Sequence, residues 1–544
     1  MKIAIAQINT RVGDLRGNSA RIGAAARAAE EEGANLIVLP ELCLPGFPPR
    51  DLLLDEGFVD ASLRAAEALA QTLSDAPPTL VGSVLRAPSS LRTPGHPGLF
   101  NSMLLLSGGK IQWAAHKRLL PVYDVFHEPR WFVPGPPQNP LILDGHSIGV
   151  CICEDLWSEG YSADPPRELK NAGAQILLCA SASPFRAGVR EKRLYHAKRA
   201  NLNVLYVNTV GAQDELIFDG GSFCMSAKGE LVAELPRFEE DVSVLDTSNL
   251  VANSCVLPPM SAPEELFRAL TLGVHDFVRK NGIQKVFVGL SGGVDSALVA
   301  CIAAKALGAA HVCALALPSR YSDARSTECA SELSRNLGIA FEVHSIEPYF
   351  KAFEHSLSGL SAPEKNAGED TTLENVQARI RAIVLMAYVN RNKGLLLNTS
   401  NKTELSLGYG TLYGDMAGTL SVIGDLSKSD VYAVARWVNE HEVSIPSFIL
   451  ERPPSAELRE NQVDPFDYAR VSPMVDAQVL GSRSDWTSAD AAEAMRLRNR
   501  SRSVVFPIPG SPWMPSIIPR PDFTWAKISS SCARCESRPT TSGR

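Results

Sequence analysis

The chain has 544 residues, 45% of them hydrophobic and 21% charged, and its formal net charge is −7 at pH 7. This composition is typical of a folded globular protein, and the acidic balance argues against a nucleic-acid partner, which favours a basic surface. No apolar run is long enough to cross a bilayer, so we expect no membrane partner. The 11 cysteines are odd in number and scattered, which favours reduced thiols and a cytoplasmic protein.

Apolar, β-rich runs alternate with helical patterns through the first half of the chain. Predicted strands lie at residues 3–8, 36–40, 79–85, 102–107, 147–152, 175–179 and 204–208. The stretch 246–263 carries Ser, Asn and Pro without periodicity, which is typical of a linker. We therefore predict an α/β domain over residues 1–245 and a linker over residues 246–263.

The same alternation continues in the second half, after an amphipathic helix that is predicted over residues 264–281. The elements that follow are a strand at 285–290, a helix at 295–307, a long helix at 370–392 and a buried strand at 394–398. This pattern predicts a second α/β domain over residues 264–495. Residues 496–544 are rich in Arg, Ser and Pro, and we predict an atypical, poorly ordered tail there.

The residues from 289 to 296 read Gly-Leu-Ser-Gly-Gly-Val-Asp-Ser and join a predicted strand to a predicted helix. Small residues let backbone N–H groups converge on phosphate oxygens, and a helix N-terminus favours an anion at the same place. Asp295 fits a Mg²⁺ ligand beside such phosphates. The alternative is a turn whose glycines serve geometry alone. The order strand, Ser-Gly-Gly, acid, Ser favours phosphate binding, although it is not a Walker A loop.

Three chemically capable side chains each follow an apolar strand in the first half: Glu41, Lys117 and Cys153. A thiol attacks a carbonyl as the thiolate, so it needs a nearby base or positive charge. Glu41 fits a general acid/base and Lys117 a group that stabilises an oxyanion, so that with Cys153 they would hydrolyse an amide through a thioester. Taken singly, the three are better explained as a helix-capping acid, a solvated charge and a small buried thiol.

Three motifs in this half resemble the motif blocks of the nitrilase/amidase superfamily: Pro-Glu-Leu at 40–42, His-Lys-Arg-Leu-Leu-Pro at 116–121 and Cys-Glu-Asp-Leu-Trp at 153–157. The resemblance implies a four-layer α-β-β-α sandwich. It also implies that Glu41 is the acid/base, Lys117 the transition-state stabiliser and Cys153 the nucleophile. Glu128 matches an additional glutamate that many members keep beside these three, and we count it as catalytic.

The first half also resembles the amidase domains of glutamine-dependent NAD synthetases, which implies three glutamine-binding residues. Tyr123 and Ser183 match positions that touch glutamine in that family. A basic residue usually follows the serine motif. Val189 stands near that place in this chain, with the basic residues Arg190 and Lys192 adjacent, and the role is assigned to Arg190.

The loop at 289–296 resembles the pyrophosphatase loop of the N-type ATP pyrophosphatases, which cleave ATP between its α and β phosphates and adenylate a carboxyl group. Three further blocks, at 374–381, 401–404 and 423–428, look like those of the NAD synthetases in that family. The resemblance implies a doubly wound parallel sheet. It implies that ATP is bound by Gly289, Leu290, Ser291, Gly292, Gly293, Val294, Asp295, Ser296 and Thr399.

By the same resemblance, Asn375 and Glu404 bind deamido-NAD, while Asp295 and Glu404 bind Mg²⁺. The two halves together then imply ATP-dependent amidation of deamido-NAD to NAD, with ammonia from glutamine and release of AMP, pyrophosphate and glutamate. Family members assemble as homo-oligomers, with dimers formed through the synthetase domain.

Two alternatives stay open at this point. The same two domains would also serve the amidation of a different carboxylate. A synthetase-impaired glutaminase or assembly subunit is the other alternative, because the Tyr-Lys-Arg-Arg-Gln-like segment found near the end of family members is not recognisable here.

Overall fold

The computed structural model describes residues 1–250, 256–360 and 370–479. The predicted tail over 496–544 and the end of the predicted second domain lie outside these residues. Across the three described ranges, no helix combines the length and the apolar character that crossing a membrane requires. The cysteines in these ranges are free thiols.

The first half of the chain contains two six-stranded sheets, with helices on their outer faces, and one two-stranded sheet. Its strands are β1 (Lys2–Gln7), β2 (Leu36–Val38), β3 (Thr79–Arg86), β4 (Leu99–Ser107), β5 (Lys110–His116), β6 (Leu141–Leu143), β7 (His146–Ile152), β8 (Ile176–Ser181), β9 (Asn203–Asn208), β10 (Val210–Gln213), β11 (Leu216–Asp219), β12 (Phe223–Met225), β13 (Leu231–Glu234) and β14 (Asp241–Asp246). Its α-helices are α1 (Leu15–Glu31), α2 (Glu56–Thr72), α3 (Pro165–Asn171) and α4 (Val189–Arg199).

One sheet has the order β14-β1-β2-β3-β4-β5 and the other has the order β13-β12-β9-β8-β7-β6. Alternation along β1 shows how the layers form, because successive side chains of a strand point to opposite faces. Ile3 and Ile5 pack into the core between the two sheets, while Ala4 and Ala6 pack against Ile22 of α1. On the far side, α3 and α4 cover the second sheet. The predicted four-layer α-β-β-α sandwich is therefore confirmed.

The second half is built on a five-stranded parallel sheet with the order β17-β16-β15-β18-β19. Its strands are β15 (Val286–Gly289), β16 (Val312–Ala316), β17 (Ala340–Val343), β18 (Leu395–Asn398) and β19 (Leu420–Ser421). Its helices are α5 (Ala262–Lys280), α6 (Val294–Leu307), α7 (Ala324–Leu337), α8 (Glu347–Leu357), α9 (Thr372–Asn392), α10 (Lys402–Leu407), α11 (Lys428–His441), α12 (Ser447–Glu451) and α13 (Tyr468–Val479).

Two separate apolar cores show that helices cover both faces of this sheet. Val286 and Val288 pack on the side of α5, α6 and α11, whereas Phe287 packs with Phe350 of α8 and Ile380 of α9. The strand order reverses at β15, and a crevice at the carboxyl ends of the strands is expected at such a point. The predicted doubly wound parallel sheet is confirmed.

Helix α5 contacts both halves of the chain. Its Asp276 carboxylate accepts hydrogen bonds from Asn9 Nδ2 (2.8 Å) and from the backbone N–H of Ala212 (2.7 Å). The ammonium of Lys280, one turn later, donates to Asn9 Oδ1 (2.7 Å) and to the carbonyl oxygens of Thr10 (2.9 Å) and Ala212 (2.8 Å). These bonds tie the first helix of the second half to β10 and to the loop after β1.

Candidate active sites

Glu41, Lys117 and Cys153 come to one buried place in the first half. Glu41 lies beyond β2, Lys117 directly follows β5 and Cys153 directly follows β7. Their exposed fractions are 1%, 1% and 5%. Three charged or reactive groups at such depth need partners, because an unpaired buried charge is strongly unfavourable.

Lys117 lies between two carboxylates. Its Nζ donates to Glu41 Oε1 at 2.8 Å and to Glu128 Oε1 at 2.7 Å. Glu41 is held further by Asn101 Nδ2 (2.7 Å) and by the backbone N–H of Ala182 (3.0 Å). The carboxylate of Glu41 therefore has a fixed orientation, as a general base requires.

Burial and neighbouring charges set the protonation of Lys117 and Glu128. Burial acts against the charged form of Lys117, but Glu128 and Glu41 outweigh it and raise its pKa, so Lys117 is an ammonium. Burial raises the pKa of Glu128 to about 8 even though Lys117 acts in the opposite direction. The Lys117 ammonium thus contacts the carboxyl groups of both glutamates. Glu128 releases its proton less readily than an ordinary glutamate.

Cys153 begins a short turn, Cys153–Trp157. Its φ of 45° lies in the left-handed region, which residues other than glycine rarely adopt. Asp155 holds this turn, because its carboxylate accepts from the backbone N–H groups of Ile152 (3.1 Å), Arg118 (2.9 Å) and Leu119 (2.9 Å). The turn with the thiol is thereby bonded to the segment directly after Lys117. Strained residues that the surroundings hold in place are frequent in active sites.

Burial, followed by the charge of Glu41, raises the pKa of the Cys153 thiol, and Lys117 acts in the opposite direction. The thiol is therefore protonated at neutral pH in this arrangement. Attack on a carbonyl then requires a base that accepts the proton, and Glu41 is suited to that role.

The three predicted glutamine-binding residues have different surroundings. The hydroxyl of Tyr123 donates to Glu154 at 2.8 Å, and the side chain is half exposed. Arg190 forms a two-bond pair with Glu234 (2.6 and 2.7 Å). Ser183 is contacted instead by Arg193, whose Nη2 donates to the Ser183 carbonyl oxygen at 2.8 Å and whose Nε donates to its hydroxyl at 3.3 Å. The glutamine roles of all three remain predictions.

The predicted phosphate loop joins β15 to α6. Gly292 has a φ of +81°, and a Cβ there would stand 2.5 Å from the carbonyl oxygen of Ser326. The hydroxyls of Ser291 and Ser296 lie 3.1 Å apart, and Ser296 Oγ donates to the Gly293 carbonyl oxygen at 3.0 Å. The loop thus has a defined shape with a close backbone approach that glycine permits.

Asp295 and Glu404, the two predicted Mg²⁺ ligands, share the ammonium of Lys428. Its Nζ donates to Asp295 Oδ2 at 2.5 Å and to Glu404 Oε1 at 3.3 Å, and Asn401 Nδ2 donates to Asp295 Oδ1 at 2.9 Å. Burial, together with the charge of Asp295, raises the pKa of Glu404 to about 8. Burial acts against the charge of Lys428, but the two carboxylates outweigh it and raise its pKa.

These residues line a cavity of about 280 Å³ at the carboxyl ends of β15, β16 and β18. The predicted ATP-binding and Mg²⁺-binding residues on its wall are Gly289, Leu290, Ser291, Gly293, Val294, Asp295, Ser296, Thr399 and Glu404. Asn375 is not on this wall. Its amide accepts from Thr411 Oγ1 at 2.6 Å and donates to Thr371 Oγ1 at 3.0 Å.

Arg381, from the same helix as Asn375, does line the cavity. Its guanidinium donates to the carbonyl oxygen of Leu317 (3.0 Å) and to Ser319 Oγ (3.4 Å), and among the described residues it forms no ion pair. Burial lowers its pKa to about 10, although Glu457 and Asp415 act in the opposite direction. A partly buried cation without a paired carboxylate among the described residues, on the wall of a cavity, is suited to an anionic ligand.

Sequence reasoning gave no role to Asn101, Asp155, Arg193, Lys428 and Arg381. Asp155 and Lys428 stand inside recognised motif blocks, at 153–157 and 423–428, so the motifs themselves carried the signal. Arg381 also stands inside a recognised block, at 374–381, but it is one of several arginines on α9, as Arg193 is on α4. Their roles depend on which turn of the helix faces the site.

Two family models match the chain. The family model named carbon-nitrogen hydrolase matches residues 2–252, and the one named NAD synthase matches residues 266–476. The fold and the two sites therefore define the class: a carbon-nitrogen hydrolase joined to an NAD synthase in one chain.

Curated relatives narrow this class. The chain is 40% identical over 477 residues to the glutamine-dependent NAD(+) synthetase of a Synechocystis species, which covers 85% of each chain. It is 38% identical to that of Rhodobacter capsulatus, over 85% of this chain and 84% of the relative. The chain belongs to the glutamine-dependent NAD(+) synthetases.

Solved structures agree. The glutamine-dependent NAD⁺ synthetase of Acinetobacter baumannii, solved in complex with ADP, superposes with a TM-score of 0.75 at 30% identity, covering 93% of this chain and 95% of the other. The enzyme from Cytophaga hutchinsonii superposes with a TM-score of 0.72 at 21% identity and shares the fold.

Proposed function

We propose that the chain amidates deamido-NAD to NAD in an ATP-dependent reaction, using ammonia from glutamine and releasing AMP, pyrophosphate and glutamate. It is a carbon-nitrogen ligase of NAD biosynthesis. The observation that carries the proposal is that one chain combines the buried Glu41–Lys117–Glu128 cluster beside Cys153 with a cavity that the phosphate loop lines. No observation favours a different carboxylate or an impaired synthetase.

Glutamine hydrolysis follows from the geometry of the first site. Glu41 accepts the thiol proton as Cys153 Sγ bonds to the side-chain amide carbon of glutamine, and returns it to the departing ammonia. Lys117 stabilises the negative oxygen of the tetrahedral intermediate. Water then hydrolyses the thioester to glutamate. Glu128 holds Lys117 from the other side, and Tyr123, Ser183 and a basic residue bind glutamine.

The second site activates the carboxyl group that receives the ammonia. The phosphate loop, from Gly289 to Ser296, and Thr399 bind ATP, and the loop retains the pyrophosphate as the nicotinate carboxyl of deamido-NAD becomes adenylated. Ammonia then displaces AMP. Asn375 and Glu404 bind deamido-NAD, and Arg381 supplies a positive charge to an anionic group of either substrate.

Asp295 and Glu404 fit Mg²⁺, because it prefers carboxylate oxygens and is commonly held by one or two of them together with substrate phosphates. The two carboxylates share Lys428, and in the described residues no group of three or more His, Cys, Asp or Glu side chains forms an all-protein metal site. When bound, Mg²⁺ would neutralise charge that develops on the phosphates.

The protein is proposed to be a cytoplasmic homo-oligomer that forms a dimer through the second half. The helices α8 and α9 carry exposed apolar side chains, among them Phe353, Ile383 and Met386. Apolar groups on adjacent helices favour a protein partner. Light scattering by the purified chain measures the assembly.

The test of the activity is NAD formation by the purified chain with deamido-NAD, ATP and Mg²⁺, supplied with glutamine or with ammonium. Both nitrogen sources are expected to give NAD and AMP in equal amounts, and glutamine is expected to give glutamate as well. Failure to form AMP from deamido-NAD with either nitrogen source would rule the proposal out.

A further inference from the structure

Four charged side chains form a continuous line from the first site to α5, and we call this line the charge chain: Arg193, Asp219, Arg237 and Glu265. Arg193 Nη1 lies 2.9 Å from Asp219 Oδ1, and Arg237 Nη2 lies 3.1 Å from Asp219 Oδ2. Arg237 Nη1 in turn donates to Glu265. The side chains of Arg193 and Asp219 are 1% and 0% exposed.

The inner end of the charge chain contacts the segment that holds Glu41. Arg193 donates to the carbonyl oxygen of Ser183 (2.8 Å) and to its hydroxyl (3.3 Å). The preceding residue, Ala182, donates its backbone N–H to Glu41 Oε2 at 3.0 Å. Burial acts against the charge of Arg193, but Asp219 outweighs it and raises its pKa. Arg193 is thus linked, through Ser183 and Ala182, to the segment that holds Glu41.

The outer end belongs to the second half. Glu265 stands in the first turn of α5. This helix packs against α6, the helix that the phosphate loop opens. Arg237, which donates to Glu265, also lies over the ring of Phe185, with its guanidinium carbon 5.7 Å from the ring centre. Phe185 ends the same segment that Ala182 and Ser183 begin.

Glu265 is needed to balance the positive charge of Arg193 and Arg237. Two buried arginines share the single carboxylate of Asp219, and Glu265 supplies the second negative charge. Without it, Arg237 has Asp219 as its remaining ionic partner among the described residues and competes with Arg193 for the same carboxylate. An arginine that loses part of a buried pairing moves or draws its neighbours with it, because uncompensated buried charge is strongly unfavourable.

We infer that Glu265 is a positioning residue for glutamine hydrolysis: from the second half of the chain it acts, through Arg237 and Asp219, on the arginine that holds Ser183. The inference rests on the proposed function, since it presupposes that glutamine is hydrolysed at Cys153. Glu265 itself touches neither glutamine nor the reacting atoms.

The test compares Glu265→Gln with Glu264→Gln in the full chain. The two glutamates are neighbours on the first turn of α5 with side chains that are each 22% exposed. Glu264 pairs within its own helix, with Arg268. Glu265→Gln is expected to raise the KM for glutamine about three- to tenfold, the size of effect typical for residues of a coupled network. Ammonium-supported NAD formation is expected to change less than about twofold, and Glu264→Gln to alter neither.

A second variant, Arg237→Lys, retains the charge but loses the forked geometry, and is expected to raise the KM for glutamine as well. In the double variant with Glu265→Gln, it is expected to raise the KM for glutamine little further, because both changes interrupt the same charge chain. A role confined to the stability of the fold would instead change glutamine-supported and ammonium-supported rates together.

Equal KM values for glutamine in wild type, Glu265→Gln and Glu264→Gln would overturn the inference while glutamine hydrolysis by the wild type upholds the proposed function. If Glu265→Gln does not fold, an unchanged KM in Arg237→Lys overturns the inference in the same way. Absence of glutamine hydrolysis in the wild type overturns the proposed function first.

Discussion

Lys117 is the residue around which the first site is organised, because a single ammonium contacts both Glu41 and Glu128. Removal of one glutamate would leave Lys117 with a single buried carboxyl partner, so neither glutamate can be exchanged without consequence for the other. The nucleophile differs in this respect. Cys153 is a neutral thiol in its surroundings, and its replacement removes chemistry without unbalancing charge.

Cys153→Ala is therefore expected to lower glutamine-supported NAD formation by about a thousandfold or more, since the thioester route is lost. Ammonium-supported NAD formation is expected to stay close to wild type, because the second site is untouched. Paired assays with the two nitrogen sources measure both. Cys151→Ala, a buried thiol two residues earlier on β7, is the control and is expected to keep glutamine use.

The raised pKa of Cys153 predicts how its alkylation depends on pH. The thiolate is the reactive form, so alkylation by iodoacetamide is expected to be slow at pH 7 and to rise about tenfold per pH unit towards pH 9, without levelling off near neutrality. Mass spectrometry of the peptide that contains Cys153 follows the reaction. A plateau at or below pH 7 would contradict the protonated thiol.

At the scale of elements, the strands and helices that the sequence predicted lie within one to three residues of those observed, whereas others, such as α1 and β16, were not predicted. The helix predicted over 264–281 is α5, Ala262–Lys280, and the strand predicted over 147–152 is β7, His146–Ile152. Periodicity sufficed there because each element buries a continuous apolar face. The same reasoning placed Glu41, Lys117 and Cys153 at strand ends, where the sandwich brings them together.

Positions that depend on packing between elements were beyond sequence reasoning. Arg190 and Arg193 lie three residues apart on α4, and nothing in their spacing shows which one faces Ser183. The answer depends on how α4 lies on the second sheet, where Arg193 is buried against Asp219 and Arg190 reaches Glu234. The sequence also could not show the partners of Asp276, because one of them, Asn9, precedes it by 267 residues.

The loop between β15 and α6 gives a prediction about shape. Gly292→Ala places a Cβ 2.5 Å from the Ser326 carbonyl oxygen on a backbone with φ of +81°, which costs about 1–3 kcal/mol in the folded state. ATP-dependent AMP formation is expected to fall more than about tenfold, because the backbone donors of the loop move away from the phosphates. Glutamine hydrolysis reports whether the first half stays intact.

Gly359→Ala is the matched control for this change, because a Cβ at Gly359 meets nothing within 4 Å. It is expected to leave AMP formation and thermal stability as they are. Equal rates of AMP formation in Gly292→Ala and Gly359→Ala would show that the loop tolerates displacement, against the expectation.

At the scale of the whole molecule, the contacts of α5 with the first half determine how firmly the two halves are joined. Asp276→Ala removes the carboxylate that pairs with Lys280 at 3.0 Å and accepts the Ala212 N–H. The loss leaves a partly buried ammonium and a buried donor without this partner, which is expected to destabilise the fold by about 3 kcal/mol. Chemical denaturation measures the change.

The same junction has a defined pH dependence. Burial acts to raise the pKa of Asp276, but Lys280 and the Ala212 N–H outweigh it, so the pKa is lowered. A carboxyl group whose pKa is lowered in the folded state stabilises the fold at pH values above its ordinary pKa. This stabilisation is lost as the pH falls through the pKa of the folded state. Asp276→Ala is therefore expected to reduce the difference in stability between neutral and acidic solution. An unchanged difference would assign the acid sensitivity to other groups.

The position of α5 has a consequence for how the protein is made. On the ribosome, the residues that bond to Asp276 and Lys280 emerge before α5, because they lie in the loop after β1 and in β10. Domains generally fold in the order in which they are synthesised. The finished first sandwich therefore offers a docking surface to α5 while the parallel sheet behind it is still being translated. We expect α5 to pack against the sandwich first and then to provide the surface on which β15 and α6 fold.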